Sequence, residues 1–221
     1  MKRIFILAVI VAMVLGFSMQ AHATLYNQGT DSLGNRLIYD KDLDITWYDY
    51  TKSNDTWQNQ VNWASGLSVS GGDLVGVYDD WRLPTTVDGP YVCWYDGTTT
   101  CGYNITSSEM GHLFYTELGN KGLQATDGTI QPGWGLTNTG DFQHLQLGYY
   151  WSGTELTSNT NGAWSFGTYY GGQSYGYKVN QRYYAVAVHP GDVANIPEPG
   201  TLLLLGSGLG GLIAFRKQRQ G

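Results

Sequence analysis

The chain has 221 residues, 12 basic and 18 acidic, for a formal net charge of −6. Seven of the basic residues and all 18 acidic ones lie between positions 24 and 199, leaving that portion at −11. Such a surface repels nucleic acid, which needs a basic footprint, and suits solubility, cations or neutral sugars. The same stretch is long enough for one sizeable domain and too short for two.

In chain order, Lys2 and Arg3 precede an apolar run, Ile4–Phe17, and Ala21-His22-Ala23 supplies an A-x-A pattern. This predicts a secretory signal peptide over residues 1–23, cut after Ala23 by signal peptidase. Strands are expected at Arg36–Tyr39 and Ile45–Tyr48. A helix follows, with Thr56 as cap, Trp57, Val61 and Ala64 on its apolar face and Gly66 at its end. For a second helix, Thr106 and Glu109 have the spacing of a capping box. Met110, Leu113, Phe114 and Leu118 form its buried stripe, and Gly119 stops it. Further strands are expected at Tyr149–Thr154, Ala163–Tyr170, Ser174–Val179 and Tyr183–His189, separated by glycine-rich turns. Helices early and most strands late predict an α+β fold with two helices and a mostly antiparallel sheet. The domain is placed at residues 24–192, with a linker over 193–200.

Cys93 and Cys101 are the only cysteines, and in an oxidising compartment they are expected to pair. Asp40-x-Asp42-x-Asp44 has the opening spacing of a calcium loop, but Ile45 stands where glycine belongs and Thr51 where the bidentate Glu belongs. An Asp-capped turn explains these residues without metal, with calcium as the alternative. Arg82 is expected to pair with Asp79 or Asp80, and Trp81 and Trp151 to anchor the core. His112, His144 and His189 lack metal-ligand spacing, and no nucleophile motif is present, so no enzyme is expected.

All eight Trp and all 17 Tyr lie between Tyr26 and Tyr184, interleaved with Gly, Asn and Ser. Beyond core packing, this composition suits a recognition surface of amphipathic anchors, and rings that stack on sugars. Trp94, Tyr95, Tyr103, Tyr169, Tyr170, Tyr175 and Tyr177 are the candidate ligand-binding residues.

The end of the chain is an address. Pro197-Glu198-Pro199 precedes an uncharged run, 201–215, and a basic tail over 216–221 with Arg216, Lys217 and Arg219. A short transmembrane helix with a cytoplasmic tail is expected, placing residues 24–199 outside the inner membrane. Gly206-Ser207-Gly208-Leu209-Gly210-Gly211 fits a dinucleotide fingerprint in letters only, because no βαβ unit can surround it. The three parts together resemble the PEP-CTERM sorting signal. That resemblance implies a protein of a Gram-negative bacterium, exported through the inner membrane and processed by an exosortase. It implies an envelope, cell-surface or extracellular-matrix location alongside exopolysaccharide.

A second resemblance rests on Asp40–Trp47, the helix at Trp57, Trp81-Arg82-Leu83-Pro84-Thr85, the helix from Ser108 and Tyr150-Trp151-Ser152-Gly153-Thr154, in that order. These resemble the Lcl C-terminal domain family, related to the C-type lectin-like fold, over roughly residues 33–190. The stretch Val87–Ile105 interrupts that pattern. The expected function is non-catalytic binding of extracellular polysaccharide. A glycan-processing enzyme and a structural or adhesion protein are the alternatives.

Overall fold

The computed structural model describes residues 24–193. The signal peptide, most of the linker, the apolar run and the basic tail lie outside the described residues. Among the described residues no helix is long and apolar enough to cross a membrane.

The architecture is α+β. Eleven strands run β1 (Leu25–Thr30), β2 (Arg36–Asp40), β3 (Ile45–Asp55), β4 (Val69–Ser70), β5 (Val77–Tyr78), β6 (Cys93–Trp94), β7 (Cys101–Gly102), β8 (Tyr149–Glu155), β9 (Gly162–Gly167), β10 (Gly172–Tyr177) and β11 (Tyr183–Pro190). Nine form one sheet, ordered β1-β2-β3-β11-β8-β9-β10-β7-β6, while β4 and β5 pair separately. Pairing is antiparallel except at β11–β8 and β6–β7. The six strands expected from alternation are all present. Leu25–Thr30 (LYNQGT) is an addition that alternation does not announce.

Both faces of this sheet are covered, and its central strands show why. Side chains alternate across a strand. Leu37, Tyr48, Trp151, Ala185 and Ala187 enter one cluster with Trp57, Trp81 and Leu83. Their neighbours Ile38, Trp47, Tyr150, Val186 and Val188 enter the other, with Met110, Leu113, Phe114 and Leu118. On the first face, Ala185 and Ala187 are small where three indoles converge. The indole N–H groups are satisfied: Trp151 donates to Asp55 O (3.0 Å), Trp57 to Ser152 O (2.8 Å) and Trp81 to Tyr78 O (2.8 Å). Trp81 and Trp151 are core anchors, as expected from their setting. Val193, assigned by sequence to the head of the linker, is fully buried in the first cluster.

The first helix, α1 (Trp57–Ser65), has its expected position but a different cap. Thr56 makes no side-chain cap bond. Asp55 Oδ1 instead accepts from Thr56 N (2.8 Å) and Asn59 Nδ2 (3.0 Å). The second, α2 (Glu109–Gly111), passes directly into a π-helical turn, His112–Glu117. Its cap is Ser108, whose hydroxyl accepts from Gly111 N at 3.1 Å, not Thr106. Glu109 is drawn away from any capping box by Arg82. The guanidinium grips it with two bonds of 2.8 and 2.7 Å, and Thr85 N adds a third at 2.7 Å. Arg82 therefore pairs with Glu109 and not with Asp79 or Asp80, which are exposed in the preceding turn. The planar fork selects a carboxylate that can meet both its arms. Glu109→Gln keeps the shape and removes the charge, and is expected to cost about 1–2 kcal/mol in urea unfolding. An unchanged midpoint would mean that this clamp does not hold the Arg82 loop onto α2.

Candidate functional site

Cys93 and Cys101 are joined in a disulfide, as their compartment predicts. They face each other in the β6–β7 pair, and Gly102 of β7 adds to β10 opposite Gln173. The stretch 87–105, which holds both cysteines, thus supplies the outer edge of the sheet.

Beside this disulfide lies a groove of about 250 Å³. Tyr103, Tyr149 and Tyr170 supply its aromatic walls, and Gly102, Gly167 and Gly172 open its floor. The register explains the floor: Tyr149, Gly167 and Gly172 lie opposite one another across β8, β9 and β10 and share a face. A Cβ on Gly167 would sit 2.9 Å from the Tyr149 ring, and one on Gly172 would sit 3.4 Å from the Tyr103 ring. These glycines leave room for the rings beside the backbone. No described residue lining the groove is charged. Gln173 borders it from β10, while alternation puts its side chain on the other face; there its Nε2 donates to Thr100 O (2.7 Å), and its buried Oε1 has no partner among the described residues. Burial, with Tyr149 and Tyr170 close by, pushes the Tyr103 hydroxyl up, so it remains a donor at neutral pH.

Around the rim, Trp134 stacks on Tyr170 (5.5 Å, 18°), and Tyr169 meets Tyr170 edge-on at 4.5 Å. Trp94, 53% exposed, stacks on Tyr95 at 4.7 Å next to Cys93. Tyr149 stacks on Tyr183 at 5.1 Å. The structure thus brings Tyr103 and Tyr170 together, sets Tyr169, Trp94 and Tyr95 nearby, and separates Tyr175 and Tyr177. Alternation along β10 places these last two on the other face from Gly172, where Tyr175 packs on Trp164 and meets Tyr91 edge-on. Tyr149 and Trp134 are the members that sequence reasoning missed. Tyr149 looks like an ordinary strand start until its cross-strand glycines are known.

The acidic turn is not one site. Asp40 is fully buried, whereas Asp42 and Asp44 are exposed. Asp44 adopts φ 51° and accepts from Tyr39 Oη at 2.8 Å. Asp40 instead meets His112 and Glu117, with one possible ligand atom from each lying within 4.8 Å of the others. His144 and His189 stand elsewhere, the first on Asp49 (Nδ1 to backbone O, 2.8 Å) and the second against Tyr78 and Trp81.

Residues 195–220 match the PEP-CTERM protein-sorting motif. The motif marks an exported protein of a Gram-negative bacterium that passes the inner membrane and is sorted by exosortase. No curated protein matches the chain, and no solved structure matches it.

Proposed function

We propose that this exported protein is a non-catalytic carbohydrate-binding component of the envelope or extracellular matrix, with an uncharged exopolysaccharide segment as its ligand. The reading is carried by the groove beside Cys93–Cys101, whose walls are the rings of Tyr103, Tyr149 and Tyr170 and whose described lining bears no charge. Flat rings over a glycine floor suit the apolar faces of sugar rings, and phenol hydroxyls and backbone suit their hydroxyl groups. The net charge of −11 over residues 24–199 favours a neutral chain over an anionic one.

The two motifs behind the lectin-like resemblance also touch. Gly153 N donates to Pro84 O at 2.8 Å, and Ser152 Oγ donates to the same carbonyl at 2.9 Å.

Affinity electrophoresis of the processed protein through gels loaded with matrix polysaccharide from the producing bacterium tests the reading. Tyr149→Ala and Tyr170→Ala are each expected to weaken retardation about tenfold, roughly 1–1.5 kcal/mol per ring. Tyr177→Ala, on the other face, is expected to leave it unchanged. Retardation indifferent to all three substitutions would remove the groove as the site. Bond cleavage in the polysaccharide, or self-association without sugar binding, would replace the proposal with a glycan-processing or an adhesive role.

A further inference from the structure

Asp40 and Glu117 are 0% and 6% exposed, and a buried carboxylate is costly unless it is paired, hydrogen-bonded or neutralised; Asp40 accepts from Leu43 N and Trp47 Nε1. Among the described residues no Arg or Lys forms an ion pair with either. Burial pushes the Asp40 carboxyl above its ordinary range, and the Glu117 charge adds to that push. The π-helical turn creates this arrangement. Its i→i+5 bond, Leu118 N to Leu113 O at 2.9 Å, brings residues five apart onto one side. His112 Nε2 therefore lies 3.2 Å from Glu117 Oε1.

The remaining partner of Glu117 is Thr24. Thr24 N donates to Oε2 at 2.7 Å and Thr24 Oγ1 to Oε1 at 2.8 Å. Thr24 O in turn accepts from Lys41 N at 3.1 Å, fixing this residue just ahead of β1, whose first residue, Leu25, lies opposite Asp40. Thr24 is also the residue that follows the Ala21-His22-Ala23 cleavage pattern.

We infer that signal-peptide removal after Ala23 places a new α-ammonium group on the buried Glu117 carboxylate, near Asp40, as a partly buried ion pair that closes the sheet edge. Hydrolysis adds water across the Ala23–Thr24 bond. Ala23 leaves with a carboxylate, and the freed amine takes up a proton. A peptide nitrogen with one N–H becomes an ammonium with three, at a point where one N–H already aims at a carboxylate. The uncleaved precursor has the two buried acids without this cation, so the domain gains its last ion pair only on release. The inference is independent of any carbohydrate site.

The test uses processed protein recovered from the envelope of a secreting host. N-terminal sequencing is expected to give Thr24 first. An amine-acylating reagent at neutral pH is expected to modify Thr24 at least ~100-fold more slowly in the native protein than in urea, because modification requires breaking a partly buried pair. Glu117→Gln is expected to restore most of the lost reactivity. If that variant does not fold, the wild-type protection ratio still decides. Inserting one residue between Ala23 and Thr24, which moves the amine off its partner, is expected to remove the protection. A different first residue, or an amine as reactive in the native state as in urea, would overturn the inference. One divalent cation per chain in the purified protein would assign the cluster to metal instead.

Discussion

Trp151→Ala is expected to destabilise the domain by about 4 kcal/mol, the middle of the range for deleting a large buried aromatic. Three features set that size. The side chain is fully buried within the first cluster. Its indole packs on Tyr183 at 4.5 Å and so closely on Gly176 that a Cβ there would lie 2.6 Å away. Its Nε1 also donates to Asp55 O, which would be left without that partner. Denaturant unfolding followed by tryptophan fluorescence reads the change. A loss under about 1.5 kcal/mol would mean that the first cluster repacks freely, against the dense interior assumed here.

Removing the disulfide by Cys93→Ser with Cys101→Ser is expected to cost about 2–3 kcal/mol of stability and most of the groove's sugar affinity. The first figure follows from loop closure: the cysteines are eight apart, and a loop that short is worth somewhat less than a longer one. The second follows from position. Both cysteines line the groove, and among the described residues the short strands they pair meet β10 at one register point, Gln173–Gly102, beside the Gln173 Nε2 bond to Thr100 O. Two-residue strands have little pairing energy of their own. Retained affinity in the double variant, measured under conditions where it is still folded, would show that the aromatic walls organise themselves without the edge.

What could be read in advance follows the range of each signal. Tyr183–Pro190 was legible because a β-branched and aromatic run declares a strand by itself, and burial on both faces explains its lack of polar residues. Leu25–Thr30 was not legible, because its polar stretch becomes a strand only by pairing with Arg36–Asp40. The stripe Met110, Leu113, Phe114 and Leu118 was legible, yet the helix cap was misplaced. Glu109 satisfies a local capping pattern in sequence, but Arg82, 27 residues earlier, offers it two charged bonds instead. The sites divide the same way. Tyr103 and Tyr170 stood out as aromatics among small residues, whereas the glycine floor needs the registers of three strands at once. The Thr24–Glu117 contact spans 93 positions, and no local pattern signals it.

The strand order has a consequence for how the protein is made. The last strand among the described residues, Tyr183–Pro190, sits in the interior of the sheet, between Ile45–Asp55 and Tyr149–Glu155. A polypeptide threaded outward with its N-terminus leading delivers this segment after all the others. Until then the two halves of the sheet are separate half-built ribbons, each with a bare edge where the keystone belongs. The sorting motif begins five residues beyond Pro190. Completion of the domain and presentation of the tail to its processing enzyme therefore fall within moments of each other on the far side of the membrane.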